Sequence, residues 1–139
     1  MRNLKNNFKT AGRLCLFIGA TLTLQVLPVS LSYAQTASWY STECCKFNKD
    51  PKCPTASGKS LYDLEAQNVY FAASWDYRLG TKVRVTNLEN GKSIVVTIED
   101  RGPAKRLYNR GRVIDLGILA FEALASKKEG IIEVQLGEV

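Results

Sequence analysis

Residues 94–116, IVVTIEDRGPAKRLYNRGRVIDL, constrain the fold of this chain more than any other stretch. Ile94 to Ile98 has the β-branched composition of a buried strand. It runs into Glu99-Asp100-Arg101-Gly102-Pro103, and Gly-Pro ends a strand sharply. A basic loop follows, then a second short apolar segment, Val113-Ile114-Asp115-Leu116. Asp100 thus falls where a strand leaves the core. A carboxylate placed there is held by a rigid element and open to solvent, a common position for reactive groups.

The neighbouring residues extend the same pattern. Ala37-Ser38-Trp39-Tyr40-Ser41 has the aromatic content of a first strand. Val69 to Ala73 reads as a buried strand. Lys82-Val83-Arg84-Val85-Thr86 alternates charge and valine, the period of a half-buried strand. Asn90-Gly91 predicts a hairpin joining it to Ser93–Ile98. Leu61 to Gln67 fits either a short helix or a loop. Leu116, Leu119, Ala120, Ala123 and Leu124 have helical spacing, and the helix is expected to run to Lys128 before Gly130 stops it. Ile131 to Leu136 alternates as a last strand. The expectation is a mainly β domain of six short strands with one or two short helices. In so small a domain such strands are expected to close into a barrel, because an open sheet would leave edges exposed.

The first 34 residues read as a signal peptide. Arg2, Lys5, Lys9 and Arg13 precede an apolar run from Leu14 to Val29. Ser32-Tyr33-Ala34 fits a cleavage site, which would start the mature chain at Gln35. The run is short for a membrane span, so no stable anchor is expected after cleavage. Cys15 lies at the front of the apolar run, whereas a lipidated cysteine would follow it. The domain is then 35–139, exported to the periplasm or cell envelope. The formal charge is +6 over the whole chain. Without the four leader bases, 15 basic residues face 13 acidic ones, a balance of +2. That is a poor basis for nucleic-acid binding, and no nucleic-acid partner is expected.

The chain has no histidine. Ser-His-Asp and Cys-His nucleophiles are therefore excluded, as are the histidine-based zinc sites of hydrolases. Acid–base chemistry must come from Asp, Glu, Lys, Tyr or Cys. Three cysteines follow the leader: Cys44, Cys45 and Cys53. In an oxidising compartment a disulfide from Cys53 to Cys44 or Cys45 is plausible, leaving one thiol over. A zinc site would need a fourth ligand, so neither metal nor cofactor is expected.

An ordered set of motifs then resembles one family. Ala37-Ser38-Trp39-Tyr40, Thr55-Ala56-Ser57-Gly58, Phe71-Ala72-Ala73, Leu79-Gly80-Thr81-Lys82-Val83-Arg84-Val85-Thr86-Asn87, Asn90-Gly91-Lys92, Asp100-Arg101-Gly102-Pro103 and Arg112-Val113-Ile114-Asp115-Leu116 resemble the rare lipoprotein A (RlpA-like) family. The resemblance implies a six-stranded double-psi β-barrel and endolytic lytic transglycosylase activity on peptidoglycan. The expected substrate is glycan strands that lack stem peptides, with cell-division or wall proteins as candidate partners. It implies Asp100 as the catalytic aspartate and Asp115 as a residue close to the substrate groove. Two positions depart from the pattern: Lys59 stands where the family has Glu, and Ser74 where it has His. Glu65, in the stretch between them, is the candidate replacement carboxylate.

A lytic transglycosylase needs one acid/base and no partner to activate water, because the sugar's own 6-hydroxyl closes a 1,6-anhydro ring; this separates it from the two-carboxylate glycosidases. Asp100 is sufficient for that role in principle. Adjacent Arg101 is a substrate-binding candidate, and strand alternation directs it away from Asp100. Trp39, Tyr40, Trp75, Tyr77 and Tyr108 are candidates for stacking on sugar rings, and Ser74 for substrate contact. Lys105, Arg106, Arg110 and Arg112 form a basic loop suited to an anionic wall polymer. The competing readings are a non-catalytic, expansin-like glycan-binding module, and a barwin-like interaction protein that uses its cysteine loop.

Overall fold

The computed structural model describes residues 34–48 and 50–139. The leader expected over residues 1–34 lies outside the described residues but for Ala34. Six strands form the body of the domain: β1 (Thr36–Tyr40), β2 (Phe71–Ser74), β3 (Lys82–Asn87), β4 (Ser93–Asp100), β5 (Arg112–Gly117) and β6 (Ile132–Glu138). They close into a barrel in the order β1-β5-β2-β4-β3-β6. β1 with β5 and β2 with β4 are parallel, and the other pairs are antiparallel. Closure gives every strand two neighbours, so no edge remains to template aggregation.

Alternation along each strand sends one set of side chains inward. Ala37, Ala72, Val83, Val85, Val96, Ile98, Ile114, Leu116, Ile132 and Val134 fill the core. α4 (Ile118–Leu124) closes it with Ala120, Phe121 and Leu124. The Asn90-Gly91 hairpin forms, joining β3 to β4 through pairing of Thr86 with Ser93. Asn87 and Asn90 each donate a side-chain hydrogen bond to the Leu124 carbonyl, at 3.1 and 2.9 Å. They satisfy an acceptor that the end of α4 would otherwise leave bare.

Among the described residues four short helices surround the barrel, where one or two were expected. α1 (Glu43–Asn48) and α3 (Lys105–Tyr108) are too short to print a helical period on the sequence. α2 (Leu61–Ala66) settles the helix-or-loop alternative in favour of helix. The helix expected from Leu116 starts at Ile118 instead. Leu116 pairs with Trp39 on one side and Ala72 on the other, and two ladders outweigh helical spacing. The stretch to Lys128 ends as a separate 3-10 turn, Lys127–Glu129, whose start is capped reciprocally by Ser126 and Glu129.

A second apolar cluster lies outside the barrel wall. Cys45, Cys53, Leu61, Leu64 and Phe71 form it, with Tyr40 and Tyr62 packed against it. The disulfide joins Cys45 to Cys53, with Cα atoms 5.6 Å apart, and Cys44 is a free, exposed thiol. Consecutive helical residues face about 100° apart, so only one of the two cysteines can turn toward this cluster. Phe71 lies flat over Gly117: a Cβ on Gly117 would come within 2.6 Å of the ring. Phe71 is fully buried and cannot swing away. Gly117→Ala is therefore expected to destabilise the domain by about 2 kcal/mol through overpacking. Thermal unfolding would report it as a Tm lowered by several degrees.

Candidate active site

Asp100 and Asp115 lie on either side of one residue. In the ladders, Ala73 of β2 pairs with Asp100 of β4 and with Asp115 of β5. Asp115 in turn pairs with Ser38 of β1. The row Asp100–Ala73–Asp115–Ser38 thus crosses four neighbouring strands. Residues directly opposite one another share a face. Their sequence neighbours Ala37, Ala72 and Ile114 lie in the core, so this row lies on the outer face of the wall. Strand spacing puts the Asp100 and Asp115 backbones about 10 Å apart.

Asp100 reaches that face because of a β-bulge. Ala72 pairs with Ile98, but Ala73 pairs with Asp100, so Glu99 is skipped. With regular alternation Asp100 would follow Ile98 toward the core. A bulge re-aims the side chain that follows it. Gly102 then crosses directly over the row: a Cβ there would meet Ala73 Cβ at 3.1 Å and Asp115 Oδ2 at 3.7 Å.

The turn 55–59 covers the bulge. Ser57 N–H donates to the Glu99 carbonyl at 2.9 Å, and Lys59 Nζ meets Glu99 Oε1 at 2.6 Å. Ala56 N–H donates to Asp100 Oδ1 at 2.9 Å, and so does Arg101 N–H at 2.8 Å. Asp100 Oδ2 accepts no hydrogen bond among the described residues, which leaves one carboxyl oxygen for a ligand. Arg101 turns away, as alternation predicts. Its guanidinium donates to the carbonyls of Ser74 and Tyr77 at 2.8 and 2.6 Å.

Asp115 is held differently. Ser38 Oγ donates to its Oδ1 at 2.6 Å. Burial raises the Asp115 pKa above the ordinary aspartate value, while the Ser38 hydrogen bond and the Arg112 charge pull it part of the way back. Tyr40 stands at the centre of the acids. Its pKa is pushed far up, first by burial and then by the charges of Asp100, Asp115, Glu65 and Glu99. The phenol therefore stays protonated. Its oxygen is buried without a hydrogen-bond partner among the described residues, and its ring meets Phe71 edge-on at 5.7 Å.

The candidate residues separate into several groups. Asp100, Asp115, Tyr40 and Glu65 come together electrostatically. Glu65, however, spends its carboxylate on Thr42, accepting from its N–H at 2.9 Å and its hydroxyl at 2.8 Å. Those two bonds tie Glu65 to the start of α1, so both of its oxygens already have donors. Ser74 is fully buried, and its hydroxyl donates to the Val113 carbonyl at 3.1 Å. It supports Arg101 from behind and offers nothing to a substrate. Trp39 is half-buried and packs against the barrel core, on the face opposite Tyr40. Of the cysteines, Cys45 and Cys53 staple the covering segment. Trp75 remains exposed, its indole N–H donating to the Pro103 carbonyl at 2.7 Å. Sequence reasoning missed Glu99 and Ser38. The unusual basic residue at 59 was the available signal for a buried acid facing it.

A family model described as lytic transglycolase matches residues 32–136. The chain is 34% identical over 134 residues to the probable endolytic peptidoglycan transglycosylase RlpA of Synechocystis, covering 92% of this chain and 40% of that protein. It is 41% identical over 101 residues to the endolytic peptidoglycan transglycosylase RlpA of Pseudomonas aeruginosa, covering 73% and 26%. It thus spans between about a quarter and two-fifths of the length of these curated relatives. Among solved structures it is similar to a Streptomyces papain inhibitor, with a TM-score of 0.54 and 21% identity over 76% of this chain and 92% of that one. It is equally similar to an expansin of Clavibacter michiganensis, with a TM-score of 0.54 and 20% identity over 77% of this chain and 50% of that one. At these identities the structural likeness establishes the double-psi barrel fold alone.

Two measurements check the site's electrostatics. The Asp115 carboxyl carbon, followed by NMR, is expected to titrate above the ordinary aspartate range, and Ser38→Ala to move it higher still, because the lowering hydrogen bond is lost. A raised folded pKa stabilises the fold below the unfolded pKa, and that contribution is lost as pH rises through the folded value. Asp115→Asn should therefore gain stability relative to the wild type across that same window. Separately, Lys59→Met leaves the Glu99 carboxylate, 5% exposed, without its partner. Because Lys59 is itself largely exposed, a loss of about 1–2 kcal/mol is expected in denaturant unfolding.

Proposed function

The chain belongs to the lytic transglycolase family, and from that membership we propose that it cleaves peptidoglycan glycan strands as an endolytic lytic transglycosylase. The bond is the one between MurNAc and GlcNAc, and the preferred strands lack stem peptides. One observation carries the reading: Asp100 keeps a free carboxyl oxygen on the face it shares with Asp115, whose proton affinity burial has raised. The names of the relatives support the substrate class.

The chemistry needs one proton moved twice. Asp100 gives its proton to the glycosidic oxygen, the bond from MurNAc C1 to that oxygen breaks, and GlcNAc leaves with a free 4-hydroxyl. Positive charge develops at C1 and the ring oxygen. The Asp100 carboxylate, still tied through Oδ1 to two backbone N–H groups, takes the proton from the MurNAc 6-hydroxyl. O6 then bonds to C1, and Asp100 is again protonated. No water is consumed, so no second carboxylate is required to activate one. In this reading Asp115, anchored by Ser38, holds a sugar hydroxyl. The leader-like first 34 residues support export to the envelope, where this substrate lies.

The test is digestion of purified sacculi, with stem peptides intact or removed, followed by mass spectrometry of the products. The wild-type protein is expected to release 1,6-anhydro ends, and Asp100→Asn to reduce them by about 100-fold or more. A folded wild type that binds sacculi and releases none would overturn the reaction in favour of a glycan-binding module.

A further inference from the structure

We propose that Trp75, Lys105 and Tyr108 form a second subsite, beside the carboxyl row, for a sugar ring that bears a free carboxylate. This rests on the glycan reading above and specifies which sugar the strand must present there. Trp75 is 38% exposed, and the hydrogen bond from its indole N–H to Pro103 fixes the ring's orientation. Pro103 is three residues beyond Asp100, so the two are at most about 11 Å apart along the chain. A ring pinned in this way is a preorganised surface for the apolar face of a pyranose.

Lys105 supplies the second half of the recognition. Its Nζ lies 3.9 Å from the centre of the Trp75 ring and 5.4 Å from that of Tyr108. No carboxylate pairs with it among the described residues, where the ion pairs are Lys59–Glu99 and Lys127–Glu122. Asp76, the acid of this cluster, accepts the Tyr108 hydroxyl on Oδ1 and forms no ion pair with Lys105. Arg101 is spent on carbonyls. The ammonium is thus parked on two rings without a counter-ion. An exposed cation–π contact is weaker than a charge-assisted hydrogen bond, so Lys105 leaves the ring for a carboxylate as a sugar stacks in its place. A neutral sugar needs only the ring, whereas a positioned cation adds affinity for an acidic one. In a strand without stem peptides, the MurNAc lactyl group ends in that carboxylate. With a peptide attached it is an amide.

The test is equilibrium binding of two probes to the protein carrying Asp100→Asn, which prevents turnover. One probe is amidase-stripped glycan strands, and the other is the same strands with their carboxyls reduced to alcohols. The stripped strands are expected to bind about tenfold more tightly. Lys105→Gln should remove that preference and Lys105→Glu should reverse it, both at unchanged Tm, while Trp75→Ala should weaken both probes. A preference that survives in Lys105→Gln, or Trp75→Ala binding as tightly as its parent, would overturn the subsite. Because binding is read without turnover, failure of the transglycosylase reaction would leave this result readable.

Discussion

The bulge at Glu99 and Asp100 sets the terms for the rest of the site. Two consecutive acids at the end of a regular strand would point to opposite faces, and one would enter an apolar core where a lone carboxylate costs several kcal/mol. Skipping Glu99 in the ladder puts Asp100 beside Ala73 on the outer face. The 55–59 turn then meets both acids with donors, Lys59 for Glu99 and the Ala56 N–H for Asp100. Like charges repel, and four acids lie close enough to raise the Tyr40 pKa. Each has its own donor: Lys59, Ala56 and Arg101, Ser38, or Thr42. The donor sets the chemistry left over. Glu65 has both oxygens bound by Thr42, whereas Glu99, Asp115 and Asp100 each keep one oxygen without a donor among the described residues, and of these Asp100 lies at the end of its strand.

The wall behind the acids depends on what covers it. Tyr40 and Phe71 stand on the outer face, where alternation would normally place polar residues. Phe71 and the Tyr40 hydroxyl are buried because residues of α1, α2 and the Cys45–Cys53 bridge pack against them. Gly117 is required there by the Phe71 ring, and Gly102 passes close over Ala73 and Asp115, where a Cβ would be tight. The covering layer is therefore what removes water from Tyr40.

Most of the barrel was legible because strands with alternating valines and an Asn-Gly turn write their period into the sequence. The β-branched run before Asp100, the hairpin and the 113–116 segment all form where their patterns place them. The helix from Leu116 was misread, since spacing carries no information about the two strands that claim Leu116. At the site, Asp100 and Asp115 could be named from their motifs, but their relation across Ala73 depends on a register shift that no local pattern encodes. Ser74 and Trp39 illustrate the converse. Residue type suggested contact with a ligand, but long-range packing puts Ser74 in the interior and rests one side of Trp39 on the core. Glu65 had the right chemistry in the right neighbourhood, yet the helix start at Thr42 claims it.

The bond from Ser38 to Asp115 joins residues 77 positions apart, and the one from Ala56 to Asp100 spans 44. Nearly every contact that tunes the acids is of this long-range kind, the slowest to form. The carboxyl row therefore exists only where these distant segments meet. Until β1 has docked on β5, Asp115 has no hydroxyl to orient it, and until the turn after Cys53 reaches β4, Asp100 is an unremarkable surface acid. A half-made barrel carries every residue of the site and none of its geometry, so the chemistry comes into being only with the closed fold.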